Sequence, residues 1–389
     1  MKKKKICVVS STRAEYGILK PLILKLKKCT EWEIQVIITG AHLVEKLGNT
    51  YQEAEQDGIG IFAKIPINTD GNTEYDISLI MANALIEFGR YFQEEKPDLL
   101  FVVGDRTEIL AICAAAVNAH VIIAHLHGGE ITRGAIDDYV RHAITKMSYL
   151  HFASAEEYRR RIIQMGEEPE RVFCVGALGV ENILKEKLLS REELEENIGF
   201  PAGSDYAVVT FHPVTLEPGL ADQQVKELFG AMESRKDIFY LVTKANADAG
   251  GDIINQYMER KTEDCPNMKL VSSLGMKHYL SVVKYARFVL GNSSSGIIEV
   301  PSFGVPTINI GDRQSGRIMA KSIISCEPKR QSILDAVEQA MHMECSAYES
   351  PYGNGSASEK IVEVIGDYFR SGQKDLKKVF YDIPYRIEA

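Results

Sequence analysis

The chain has 389 residues, of which 45% are hydrophobic and 25% charged, and its formal net charge is −9. That length exceeds one ordinary hydrophobic core, so two domains of roughly 180 residues each are expected. The acidic balance is wrong for the broad cationic surface that nucleic acid requires, and no apolar run reaches the length of a membrane span. The seven cysteines are scattered and form no Cys-x-x-Cys pair, which points to a reducing, cytoplasmic compartment. Cys7, Cys113 and Cys174 sit within apolar runs and read as core thiols.

Residues 2–5 are read as a solvated basic lead into a strand at 6–10. Short runs rich in Val and Ile follow at 34–39, 99–103, 121–125 and 172–175, the pattern of strands buried on both faces of a parallel sheet. Helical periodicity lies between them, in Ile18, Leu19, Leu22 and Leu26 and across 77–91. This βαβα order implies right-handed crossovers and a doubly wound sheet. After a charged, helix-prone stretch at 181–197 and a break at 199–203 the pattern restarts, with strands at 207–211, 239–244, 270–273, 288–290 and 307–310. The expected fold is therefore α/β, with two Rossmann-like domains at 1–180 and 181–365 facing a central cleft. A helix at 361–370 and an aromatic tail at 375–384 place residues 366–389 as a segment crossing back to the first domain.

Candidate chemistry sits where these strands end. The first strand runs into Ser10-Ser11-Thr12-Arg13-Ala14-Glu15-Tyr16-Gly17 and opens a helix, whose N–H groups and dipole, with Arg13, favour an anion. An ordinary helix cap with an exposed arginine is the alternative. Neither a Gly-x-Gly-x-x-Gly fingerprint nor the Walker lysine is present. Gly104-Asp105-Arg106-Thr107-Glu108 puts two acids and a base in one turn, although Asp after a strand is also a common cap. His125-Leu126-His127-Gly128-Gly129-Glu130 ends the next strand, with Asp137, Asp138, Arg141 and His142 following on a helix. Strand alternation points His125 and His127 the same way. A zinc site is the alternative to acid–base chemistry there, without the spacing of a common metalloprotease.

In the second half, His212-Pro213 and the stretch holding Asn246 and Asp248 follow strands. Gly291-Asn292-Ser293-Ser294-Ser295-Gly296 offers small residues, N–H groups and hydroxyls to a diphosphate, with Glu299 placed for a ribose. A serine-rich helix cap is the bland alternative. Gly311-Asp312-Arg313-Gln314 closes another strand with a further phosphate or sugar contact.

Together these segments resemble the hydrolysing UDP-N-acetylglucosamine 2-epimerase family over nearly the whole chain. The runs 12–17, 104–106, 127–130, 137–142, 212–213, 291–299 and 311–314 carry the resemblance. It implies a GT-B type fold, a UDP-linked amino sugar as substrate, and neither metal nor other cofactor. The implied reaction is anti elimination of UDP to a glycal, then hydration to N-acetylmannosamine for sialic acid synthesis. Asp105 and Asp137 would do acid–base work. His127 stands where many relatives carry an acid, so His127 or Glu130 would perform a third proton transfer. Arg13, Arg106, Arg141, His212, Asn246, Asp248, Ser293, Ser294, Glu299 and Arg313 would bind the substrate. A homodimer or homotetramer is implied, with no nucleic-acid or membrane partner. The His-x-His-Gly-Gly-Glu run is also similar to legionaminic acid pathway enzymes, so a UDP- or GDP-linked 2,4-diacetamido-trideoxy sugar is the alternative substrate. A glycosyltransferase, a nucleotide-sugar sensor or a non-hydrolysing epimerase would share the fold.

Overall fold

The computed structural model describes residues 3–45, 48–68, 73–132, 136–185, 187–213, 220–245, 251–272, 274–344, 350–372 and 376–384, with the side chains of 251–253 and 276 left aside. The chain divides into two compact units. One comprises Met1–Ile131, Ile136–Asn182 and Tyr352–Ala389, the other Thr132–Ala135 and Ile183–Pro351.

The first unit is built on strands β1 (Lys4–Ser10), β2 (Trp32–Thr39), β3 (Ala63–Ile65), β4 (Leu99–Val103), β5 (Ile122–Leu126), β6 (Leu150–Ala153) and β7 (Val172–Cys174). Their order is β3-β2-β1-β4-β5-β6-β7, and every pair is parallel. Alternate side chains of β1 enter different cores: Ile6 and Val8 pack with Leu19, Leu22 and Ile23, whereas Cys7 and Val9 pack with Phe88, Ile109 and Ile112. Burial on both faces is what makes such strands uniformly apolar. Order reverses between β1 and β4, and at such a switch point two adjacent strand ends leave a crevice for ligands.

The second unit repeats the plan with β8 (Tyr206–Thr210), β9 (Phe239–Thr243), β10 (Met268–Val271), β11 (Phe288–Gly291), β12 (Thr307–Ile310) and β13 (Ile323–Cys326). The order is β10-β9-β8-β11-β12-β13, again parallel throughout. Its switch point lies between β8 and β11. Both units are thus doubly wound parallel α/β sheets.

Three details differ from the sequence reading. Cys174 is exposed rather than a core thiol: it is the last residue of β7, at the edge of the sheet, where the strand leaves the cover of its neighbours. Lys4 and Lys5 are the first residues of β1 and are paired rather than free in solvent, Lys4 with Asp98 at 2.5 Å and Lys5 with Glu95 at 2.7 Å. The chain rejoins the first unit at Tyr352, ahead of residue 366. The helix Ala357–Arg370 buries Ile361 and Ile365 in the same core as Leu19 and Leu22, and Glu181 receives the Ser358 amide and hydroxyl at 2.6 and 2.5 Å.

The tail is fastened to the same unit. Buried Glu167 accepts from His151 Nε2 at 3.0 Å, from Lys146 at 2.6 Å and from the tail's Lys378 at 2.7 Å, while the Tyr381 amide donates to the Gly166 carbonyl at 2.9 Å. The cluster holds the Glu167 carboxyl down at about 2 against the opposing effect of burial. Glu167→Leu is expected to lower unfolding stability by about 2 kcal/mol, less than a fully buried pair would lose because both lysines keep access to water. Chemical denaturation measures this, and an unchanged midpoint would mean that the tail is not held through Glu167.

Candidate active site

At the carboxyl end of β4, Gly104 takes φ +74° and turns the chain so that Asp105 leaves the sheet. The Gly104 carbonyl is bonded by His125 Nε2 at 2.8 Å. The His125 ring is fully buried, which pushes its pKa down to about 3, so it is a neutral strut between β5 and this turn.

His127 does not continue the alternation expected of it. The strand ends at Leu126, and His127 adopts φ +64°, a left-handed conformation unusual for a side chain of this size. Its Nδ1 lies 3.0 Å from Glu130 Oε1, and among the described residues its buried Nε2 has no partner. Glu130 is 5% exposed and also accepts from Ser154 Oγ at 2.8 Å. An ionised Glu130 makes Nδ1 the protonated nitrogen and leaves the Nε2 lone pair available. Gly129 permits this tight return: it has φ +77°, and a Cβ there would sit 2.5 Å from the Tyr158 carbonyl. Arg161 Nη1 fixes the Gly129 carbonyl at 2.5 Å.

Arg141, 3% exposed, ties these pieces together. From the helix Asp137–Met147 it pairs with Asp105 Oδ2, with Asp138 Oδ1 at 2.8 Å, and with the Glu130 carbonyl at 3.0 Å. Burial raises the pKa of Asp105; Arg141 opposes that rise, while the nearby charges of Asp137 and Glu130 add to it. Asp105, His127, Glu130, Asp137 and Arg141 are thus one electrostatic cluster. Among the described residues no group of three or more His, Cys, Asp or Glu is arranged to hold a metal ion.

Arg106 follows directly, with its Nε 2.5 Å from Glu108 Oε1. Arg13 is set apart: it is half-exposed and its Nε pairs with Glu53 at 2.6 Å.

In the second unit, Asn292 organises the switch point. Its Oδ1 accepts the His212 amide and its Nδ2 donates to the His212 carbonyl, both at 2.8 Å. Its own carbonyl accepts from Arg313 Nη1 at 3.1 Å and Gln314 Nε2 at 2.9 Å. His212 and Arg313 are therefore brought to one place. Ser293 caps the short helix Ser294–Ile298, accepting from the Ser295 amide, and the Ser295 hydroxyl donates to Glu299. Burial raises the Glu299 pKa. Asn246 and Asp248 lie outside the described residues. The sequence reading singled out neither Asn292 nor Ser154 nor Glu108 as a site residue. Asn292 carried a signal, as the one amide in a run of Gly and Ser at a strand end, and so did Glu108, as the second acid of the Gly104–Glu108 turn; Ser154 carried none.

Gly291 has φ +140°, and a Cβ there would run into the Thr210 carbonyl of the neighbouring strand. Gly291→Ala is expected to destabilise the protein by roughly 3 kcal/mol or more, from backbone strain and overpacking together. A thermal melt matching that of the wild type would show that β8 and β11 do not approach this closely.

Residues 24–366 match the UDP-N-acetylglucosamine 2-epimerase family. The chain is 38% identical to polysialic acid biosynthesis protein P7 of Escherichia coli, over 98% of each chain. It is 39% identical to a hydrolysing GDP/UDP-N,N'-diacetylbacillosamine 2-epimerase of Campylobacter jejuni, over 84% of this chain and 85% of that one. In fold it matches the crystal structure of a UDP-GlcNAc 2-epimerase from Neisseria meningitidis bound to UDP-GlcNAc, with a TM-score of 0.80, 19% identity, and coverage of 93% of this chain and 100% of that one. The two doubly wound sheets are therefore of the GT-B type, and the chain belongs to the UDP-N-acetylglucosamine 2-epimerase family, among its hydrolysing nucleotide-sugar enzymes.

Proposed function

We propose that the protein is a hydrolysing UDP-N-acetylglucosamine 2-epimerase that releases UDP and N-acetylmannosamine for sialic acid synthesis in the cytoplasm. The observation that carries this reading is the His127–Glu130 pair, with its available Nε2, beside Asp105 and Asp137.

In the first step a base removes the proton at carbon 2. The bond from carbon 1 to the diphosphate oxygen breaks, UDP departs with that electron pair, and a double bond forms between carbons 1 and 2. In the second step water bonds through oxygen to carbon 1 and gives up a proton to a base, while a proton is delivered to carbon 2 on the face opposite to the one the first proton left. Asp105 and Asp137 serve as acid–base carboxyls; burial raises the pKa of Asp105, and a carboxyl so raised exchanges protons more readily near neutrality. His127 makes the third proton transfer through Nε2, and Glu130 holds its ring in the working tautomer. Between the two roles left open by the sequence, the hydrogen-bond geometry favours His127 as the reacting group and Glu130 as its support.

Arg13, Arg106, Arg141, His212, Asn246, Asp248, Ser293, Ser294, Glu299 and Arg313 bind the substrate in this reading, their cations and N–H donors stabilising charge on the departing diphosphate. The protein works as a homodimer or homotetramer.

Similarity to the Campylobacter jejuni enzyme favours a second reading, in which the sugar is a UDP- or GDP-linked 2,4-diacetamido-trideoxy hexose. Comparing kcat/KM for UDP-N-acetylglucosamine, UDP-N,N'-diacetylbacillosamine and its GDP form separates the two. The first reading predicts a preference of about tenfold or more for UDP-N-acetylglucosamine, the scale on which a pocket discriminates by substituents. The reverse order would transfer the assignment to the diacetamido sugar.

A further inference from the structure

The His127–Glu130 pair is fastened to the end of β6 at two points. Leu126, the last residue of β5, is in register with Phe152 on β6. One step further the His127 amide donates to the Phe152 carbonyl at 3.1 Å, so the histidine backbone stays on the ladder although its side chain leaves the pleat. Three residues on, the Glu130 carboxylate returns to the same strand end, where its Oε1 accepts from Ser154 Oγ at 2.8 Å and lies 3.0 Å from His127 Nδ1.

Ser154 is wholly buried, directly after the last residue of β6. A buried hydroxyl is costly unless it is hydrogen-bonded, and the helix Glu156–Gln164 does not engage it: the N-cap of that helix is Ala155. The Ser154 hydroxyl is turned to Glu130 instead. Other groups hold the backbone of the same loop, Arg141 Nη1 at the Glu130 carbonyl and Arg161 Nη1 at the Gly129 carbonyl, whereas Ser154 holds the carboxylate itself. Ser154 and His127 meet one carboxylate oxygen, and an ionised carboxylate oxygen only accepts. Each contact is therefore a donation to Glu130, which puts the His127 proton on Nδ1 and leaves Nε2 as the acceptor.

We infer that Ser154 is a positioning residue for His127: by holding Glu130 Oε1 against Nδ1, it keeps the imidazole in the tautomer whose Nε2 is free to take up a proton. The inference rests on the reading of His127 as a proton-transfer group. Without the hydroxyl, the Glu130 carboxylate turns about its broad terminal torsion, and an imidazole without a fixed partner divides its proton between two nitrogens. Ser154 acts only through Glu130, so its loss reduces the competent fraction of the enzyme and leaves substrate binding alone.

The test is Ser154→Ala in the full-length protein, read in two ways. In nitrogen-15 NMR of the histidine side chains at about pH 8.5, with the His127 signals identified by their loss in His127→Asn, the wild type is expected to show the Nδ1–H tautomer and Ser154→Ala a mixture of both. In steady-state kinetics with UDP-N-acetylglucosamine, Ser154→Ala is expected to lower kcat roughly tenfold, the scale of one hydrogen bond to a charged group, with KM and the UDP Kd unchanged. In the His127→Asn background the same substitution is expected to change kcat by less than about twofold, because residues that act as a unit are not additive. If Ser154→Ala does not fold, Ser154→Cys carries the test with a weaker donor and a smaller change in the same direction. An unchanged tautomer in Ser154→Ala would overturn the inference, and so would equal losses of kcat in the wild-type and His127→Asn backgrounds, which would make Ser154 a packing residue. Full kcat in His127→Asn would overturn the reading of His127 and the inference with it. Loss of kcat in that variant with unchanged kcat in Ser154→Ala would defeat the role of Ser154 alone.

Discussion

Replacing His127 with Asn is expected to lower kcat by a factor of about 10²–10⁴, the range that a positioned proton-transfer group supplies, while UDP binds as before. Folding stability is expected to hold within about 1 kcal/mol, because Asn tolerates the left-handed conformation that His127 adopts at φ +64° better than most residues do. That combination separates a reacting group from a packing residue, whose replacement would lower stability and leave turnover to follow. Steady-state kinetics alongside thermal denaturation reads both quantities. Glu130→Gln is expected to lie between the wild type and this variant, since a glutamine oxygen can still accept from Nδ1 but brings no charge to steady a protonated ring. A His127 variant that keeps full kcat would remove the imidazole from the reaction.

Replacing Arg141 with Met is expected to act on stability and turnover together. Arg141 is almost wholly buried and answers the carboxylates of Asp105 and Asp138 as well as the Glu130 carbonyl. Removing one partner of a buried ionic network costs several kcal/mol because the other charges stay behind. Both aspartates keep some solvent access, so a loss of about 2–4 kcal/mol is expected here. The same change removes the cation that opposes the rise of the Asp105 pKa. Asp105 then keeps its proton to higher pH, and any limb of the pH–rate profile that depends on ionised Asp105 moves upward. Lysine is not an adequate replacement, because it lacks the planar fork that reaches several acceptors at once. Arg141→Met with unchanged stability and an unchanged pH profile would show that Asp105 is not tuned through this pair.

Much of this architecture is legible in the sequence for a plain physical reason: a strand buried on both faces is mostly apolar, and such runs stand out. Three strands escape that rule. β3 is only three residues long, β6 contains His151, and β13 contains Ser325 and Cys326. His151 is tolerated inside because Glu167, distant in sequence, accepts its ring N–H. The candidate site follows the same division. Its motifs mark which strand ends carry chemistry, since acids, histidines and glycines cluster there. What they do not carry is partnership across the chain. Glu53 answers Arg13 from 40 residues away, Ser154 answers Glu130 from 24, and Asn292 clamps His212 across 80. His127 was expected on the strand's alternating face, but Gly128 and Gly129 let the chain turn before the pleat is completed.

The first measurement is to incubate the protein with UDP-N-acetylglucosamine in deuterium oxide and follow the sugar by NMR. Hydrolysing epimerisation predicts free UDP and N-acetylmannosamine with deuterium at carbon 2, because the proton delivered in the hydration step comes from solvent. Release of N-acetylglucosamine with its original hydrogen at carbon 2, or formation of UDP-N-acetylmannosamine in place of the free sugar, would contradict it.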